Sequence, residues 1–269
     1  MISRLTADRL VQPLAKVLAN DRKDWKVDLV WESEATKDRL RALVSKDGPP
    51  LLLAAGLGLG FASGHEHQPS RQGAIICQGW PETTGEPAEV STDFFFGGGD
   101  LAADACLLGM IAFLSMARSA GTPRLDDYPR LDGLRDGTFR RAELAPKAFL
   151  SDLSRKLLSH PEGGMLAVIG HVERLSDYPL QRDRGRKNLE TYASVLERLL
   201  AGERVGRATE PFNDRYVELA TELSNELEQT LLGDVLDTQK LEEVWALSND
   251  ARNFIVLGDP AVRLRAAEV

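Results

Sequence analysis

Two thiols and four imidazoles are the groups in this chain suited to nucleophilic or acid–base chemistry near neutral pH. Their neighbours decide whether they perform it. Cys106 sits beside Ala105, Leu107 and Leu108, and Cys77 lies inside the run Gly73-Ala74-Ile75-Ile76-Cys77-Gln78-Gly79. Both surroundings read as core packing, with a displaced nucleophile as the alternative at either. His65 and His67 flank Glu66. Such a pair can hold a metal, but a zinc site needs three or four ligands. No obvious third stands nearby, so the segment reads as a solvated polar loop and no metal is expected. His171 follows the apolar run Gly164–Gly170. It reads first as a satisfied near-core histidine, and second as a group able to reach a pocket at the strand tip.

The glycine-rich stretches carry no cofactor signal. Gly56-Leu57-Gly58-Leu59-Gly60 follows an apolar run, but a dinucleotide site needs Gly-x-Gly-x-x-Gly opening a helix. This chain continues into Phe61-Ala62-Ser63-Gly64-His65-Glu66-His67-Gln68-Pro69, which starts no helix. Gly97-Gly98-Gly99-Asp100 is too short for a phosphate loop and reads as a flexible turn, with Asp100 available to line a peptide pocket. The basic run Arg182, Arg184, Arg186, Lys187 reads as a solvated loop rather than an anion site.

The elements that would position a site alternate between strand and helix. Thr6 caps a helix to about Ala19, with Leu10, Val11, Leu14, Val17 and Leu18 on its apolar face. Trp25–Trp31 reads as a short strand and Glu34–Ser45 as an amphipathic helix closed by Asp47-Gly48-Pro49-Pro50. Leu51–Ala55, Leu107–Met116 and Gly164–Gly170 are continuous apolar runs, the pattern of strands covered on both faces. Gly73–Gly79 and Phe254–Leu257 are further strands. Helices are expected over Ala148–Ser159, Leu189–Leu200, Asn213–Leu231 and Thr238–Ala251, and a long surface loop over 124–145. The fold class is therefore α/β, a mostly parallel central sheet flanked by helices in three layers. One domain over 25–269 follows an N-terminal helix within 1–24, with a helical excursion at roughly 187–252.

Bulk properties narrow the function. The 269 residues carry a net charge of −8 with 43% apolar content. That balance argues against nucleic-acid binding and suits a soluble protein, or one that meets basic partners. Two cysteines make a disulfide framework unexpected and fit a reducing cytoplasm. Met1-Ile2-Ser3-Arg4-Leu5-Thr6 lacks the apolar core of a signal peptide. No apolar run approaches the roughly 20 residues that span a bilayer, so no membrane association is expected.

Four separated segments, in order, resemble bacterial caspase-like cysteine peptidases, the group that includes caspases, gingipains and CHAT-type proteases. They are Gly56–Phe61 with Arg71–Pro81, Ala112–Pro123, Gly163–Val172 and Leu257–Leu264. The similarity spans about residue 25 to 265, and implies the caspase-like three-layer sandwich. It also implies a catalytic histidine after Leu51–Ala55 and a catalytic cysteine after Gly109–Met116. Fitted by the surrounding glycines, the histidine position falls on Leu57; fitted by Ala120-Gly121-Thr122-Pro123, the cysteine position falls on Ala117. Arg118 and Ser119 also depart from the usual aromatic–glycine pair. In such enzymes the loop after the cysteine strand is often cut during activation, which marks 124–145, with Arg130, Arg135, Arg140 and Arg141, as a cleavage segment.

A cysteine peptidase needs a thiolate and a base to draw off its proton. Leucine exchanges no proton and alanine has no nucleophilic atom, so acyl-enzyme chemistry is unavailable at Leu57 and Ala117. Backbone donors near Gly58 remain able to bind a carbonyl oxygen without any attack on the carbonyl carbon. The expected function is a catalytically inactive caspase-like domain that binds protein or peptide, or pairs with and regulates an active relative. The alternative is an active endopeptidase captured as an inactivated mutant. Ala117 suits that alternative and Leu57 does not.

Overall fold

The computed structural model describes residues 2–45, 48–81, 91–128, 141–177, 185–231 and 237–265. The chain is an α/β three-layer sandwich. Its central sheet holds β1 (Leu51–Ala55), β4 (Ile111–Ser115), β7 (Ala167–His171) and β8 (Phe254–Gly258), in that order. The first three run parallel, and β8 closes the sheet antiparallel to β7. Two small antiparallel ribbons stand apart: β2 (Ile75–Ile76) with β3 (Phe95–Phe96), and β5 (Gly121–Thr122) with β6 (Phe149–Leu150).

Side chains of successive strand residues point to opposite faces, and the two halves of the core follow that period. Leu51, Leu53, Ile111, Phe113, Ala167, Ile169 and Val256 pack on one face. Leu52, Ala112, Leu114, Val168 and Leu257 pack on the other. This double burial is why these strands read as unbroken apolar runs. The first face is covered by α2 (Gln12–Asp21), α6 (Gly185–Leu200), α7 (Val205–Ala208) and the start of α8 (Glu210–Leu231), through Leu14, Leu18, Val195, Leu199 and Phe212. The second is covered by α3 (Lys37–Leu43) and α5 (Asp152–Leu158), through Leu40, Leu153 and Leu157. The last helix, α9 (Thr238–Arg252), lies along α8 and carries the chain into β8. The remaining helices are short: α1 (Ile2–Thr6) and α4 (Gln68–Arg71).

Several local expectations differ from what forms. Thr6 is not a cap: its φ of −62° and ψ of −44° are helical, and the helix begins at Ile2 and widens into a π turn over Ala7–Val11. Leu10, Leu14 and Leu18 are buried as the period requires, and they join the core that holds Ile111 and Phe113. Trp25–Trp31 is irregular, without a ladder; Trp25 instead donates its indole N–H to the Leu200 carbonyl at 3.1 Å. The Glu34–Ser45 helix shortens to Lys37–Leu43 because Thr36 takes extended dihedrals and caps it, accepting from the Arg39 N–H at 3.2 Å. Gly73–Gly79 contributes only β2, outside the central sheet. Phe149–Leu150 leaves the expected helix to pair with Gly121–Thr122, so α5 starts at Asp152. Gly98–Asp100 is a 3₁₀ turn fastened by Asp100, which accepts from the Gly97 N–H at 2.9 Å and pairs with Lys37 at 2.7 Å. No described helix is long and apolar enough to cross a membrane.

Candidate functional site

The parallel ladder between β1 and β4 ends at the Gly56 N–H, which reaches the Ser115 carbonyl at 3.3 Å. Beyond that rung the two chains part. After β1, the Leu57 carbonyl accepts from Ile76 at 3.1 Å and the Leu59 N–H donates to Ala74 at 2.8 Å, so this chain pairs outward with the β2 ribbon. After β4, the Arg118 N–H donates to the Glu173 carbonyl at 2.6 Å and Ala120 donates to His171 at 3.1 Å, so that chain turns toward β7. The parting leaves a cavity of about 250 Å³ at the carboxyl ends of the strands, where ligands of open α/β sheets collect.

Leu57, Gly58 and Ala117 all line this cavity. The three positions assigned from the sequence therefore meet in one place. Gly58 opposes Ile75 across an antiparallel bridge whose hydrogen bonds belong to Leu57 and Leu59. Its own N–H consequently faces away from the ribbon. Among the described residues, neither the Gly58 nor the Ala117 N–H donates a hydrogen bond to the protein. A Cβ at Gly58 would stand 2.0 Å from the Ala117 carbonyl oxygen, so only glycine allows the two segments this close.

The rest of the lining mixes apolar and polar residues, and its polar members come from elements far apart in the chain. Ser115 and Tyr192 share a buried hydroxyl–hydroxyl bond of 2.7 Å on one wall. Asn188 joins them from α6, Thr6 and Leu10 come from the N-terminal helix, and Leu175, Ser176 and Asp177 from the chain after β7. Burial pushes the Tyr192 phenol far above its ordinary range, so it stays protonated and draws no proton from Ser115.

His171 is not part of this lining. It ends β7 fully buried, edge-on to Phe254, with Nε2 3.2 Å from the Asp250 carbonyl oxygen and Nδ1 3.4 Å from that of Glu173. Burial lowers its pKa to about 4, so it is neutral at physiological pH. Asp250 and Ser176 lie close by, which gathers a serine, a carboxylate and an imidazole. The order is wrong for nucleophilic catalysis, which places the imidazole between the other two. Here the Ser176 hydroxyl bonds directly to the Asp250 carboxylate, and the imidazole is sealed from solvent.

Neither thiol lines the cavity. Cys77 is buried with its sulfur 3.6 Å from the Ile75 carbonyl oxygen, and burial pushes its pKa up to about 11. Cys106 is half-buried. His65 stacks on Phe61 at 4.9 Å and lies 5.4 Å from the His67 ring. No group of three or more potential metal ligands occurs among the described residues. Arg186 pairs with Glu190 at 2.9 Å and Lys187 with Glu218, while Arg182 and Arg184 lie outside the described residues. So do Arg130, Arg135 and Arg140 of the segment that the resemblance marks as one for cleavage. Arg141 is ion-paired with Asp127.

The turns leaving β4 and β7 share an acidic core. Arg118 and Glu173 both hold left-handed backbone, φ 61° and 75°, a conformation that costs a non-glycine residue free energy. The Glu173 carboxyl is 1% exposed and accepts from the Asp127 N–H at 3.2 Å. Burial, reinforced by Asp126, raises its pKa to about 9. The folded protein thus keeps a proton that the unfolded chain releases above about pH 4.5, and stability falls as pH rises toward 9. The His171 and Asp250 shifts act only below about pH 6.5. Glu173→Gln should therefore flatten the loss of stability between pH 7 and 8.5, at most about 2 kcal/mol for one proton over that interval. Urea melts of both proteins at the two pH values check this.

No protein-family model, no curated protein and no solved structure matches this chain.

Proposed function

We propose that the chain is a catalytically inactive caspase-like domain that binds a protein or peptide segment in the cavity between β1 and β4, and that this binding regulates an active relative. The carrying observation is the composition of that cavity. It opens at the carboxyl ends of β1 and β4, and it is lined by Leu57 and Ala117, the positions that the sequence resemblance aligns with the histidine and the cysteine. The resemblance to caspase-like peptidases rests on the sequence segments alone.

The chemistry of the lining favours retention over turnover. Two backbone N–H groups are available to a carbonyl oxygen, and preorganised donors of that kind stabilise charge on oxygen. Among the described residues, no thiol and no imidazole lines the cavity beside them. Leu57, Leu10 and Leu175 offer apolar contact, while Asn188, Ser176 and Asp177 offer polar selection. A mixture of this kind suits one or two side chains of an extended segment.

The test uses pools of fluorescent tetrapeptide amides with each position fixed in turn. Saturable polarisation changes confined to some pools, with every peptide intact by mass after overnight incubation, support the reading. Uniformly flat polarisation, or cleavage of any pool, ends it.

A further inference from the structure

The chain after β7 forms one wall of the cavity through Leu175, Ser176 and Asp177. Ser176 in that wall is held by a carboxylate on α9. Asp250 is 4% exposed. It accepts from the Ser176 N–H at 3.1 and 3.3 Å, from the Ser176 hydroxyl and from the Tyr128 hydroxyl. Behind the wall is a second, smaller void of about 30 Å³, lined by Asp250 together with Leu175, Asn188 and Tyr192. Those last three residues also line the main cavity. The wall therefore has empty space on both sides, and among the described residues Ser176 is tied to the protein through Asp250.

We infer that Asp250 is the positioning residue of the cavity wall, and that protonating its carboxylate releases Ser176 and loosens the cavity. This inference rests on the binding role proposed above for the same cavity. Charged hydrogen bonds to a buried carboxylate are about twice as strong as neutral ones. A protonated Asp250 loses that charge and turns one of its two oxygens into a hydroxyl donor, leaving one neutral carbonyl oxygen to accept from the Ser176 N–H, the Ser176 hydroxyl and the Tyr128 hydroxyl. Tyr128 already has a second acceptor, the Arg174 carbonyl at 3.1 Å. Ser176 makes no hydrogen bond to a second acceptor among the described residues.

The neighbouring charges do not compensate. His171 on β7 comes within 4.0 Å but is neutral. Arg174 turns to Asp126 at 2.6 Å, Arg252 to Asp127 at 2.6 Å, and Arg215, which lines the small void, to Glu218 at 2.5 Å. Asp177 adds like charge from the wall itself. Among the described residues Asp250 is thus held by hydrogen-bond donors without a paired cation. Burial raises its pKa to about 6 against the opposing pull of Ser176 and Tyr128. The carboxylate is present above that pH and lost below it.

Amide hydrogen exchange on the intact protein reads the fastening without any ligand. After correction for intrinsic rates, protection of the fragment covering 172–177 should fall about tenfold from pH 7.5 to pH 5.0 while β4 is unchanged. Asp250→Asn should show the low value at both pH values, and Ser176→Ala an intermediate one at pH 7.5. Thermal melts establish that each variant folds. Wild-type protection that does not respond to pH, or an Asp250→Asn protein that still responds, overturns the inference. The tetrapeptide pools are then compared at the two pH values. Weaker retention at pH 5.0 supports the inference, and equal retention overturns its link to the cavity. If no pool is retained at either pH, the binding role fails while the exchange data still decide the role of Asp250.

Discussion

An acyloxymethyl-ketone probe at pH 7.5 is expected to leave the purified protein unlabelled above the background of a Cys77→Ser/Cys106→Ser control. The reagent traps a thiolate that an adjacent base has activated. Cys77 has a pKa pushed up to about 11, which leaves well under a thousandth of it ionised. Its sulfur contacts a carbonyl oxygen and faces the core rather than the cavity. Among the described residues, no hydrogen bond joins either thiol to an imidazole. The catalytic contribution lost with a nucleophile and its base is on the order of a millionfold in rate. Intact-mass spectrometry reads the outcome, and stoichiometric addition at either cysteine would remove the inactive reading altogether.

Ala117→Phe should abolish retention of the tetrapeptide pools, by more than about a hundredfold. Residue 117 lies in the turn just past β4, half-buried and on the lining of the cavity. A phenyl ring there occupies a large part of the 250 Å³ available. It also covers the Gly58 N–H, the donor on which the proposed carbonyl contact depends. Because the space is already open, stability should change by less than about 1 kcal/mol, in contrast with overpacking a filled core. Polarisation titrations and urea melts separate the two effects. Undiminished retention by a folded Ala117→Phe protein would place binding elsewhere.

The legible parts of this fold are those fixed by burial on two faces. Leu51–Ala55, Ile111–Ser115 and Ala167–His171 are apolar because helices cover both sides of them, and that pattern survives in a single sequence. The resemblance assigned Leu57, Gly58 and Ala117 to the segments just past β1 and β4, and all three line the cavity there. Other features depended on distant partners. Trp25–Trp31 has strand-like composition but no neighbouring strand to pair with. Ser115 and Tyr192 are separated by 77 residues and Asp250 and Ser176 by 74, so periodicity within one element says nothing of either pair. The buried triplet Ser248-Asn249-Asp250 near the end of an amphipathic helix was the one available hint. Polar residues on a helix's buried face require partners, and here Asn249 holds the Asp127 carbonyl at 2.7 Å while Asp250 holds the cavity wall.

The direct test of the central claim is photo-cross-linking with a retained tetrapeptide that carries a diazirine side chain, followed by mapping of the adducts. The account predicts an uncleaved peptide attached within 56–58, 115–117 or 175–177. A shortened peptide, or adducts confined to other surfaces, would contradict it.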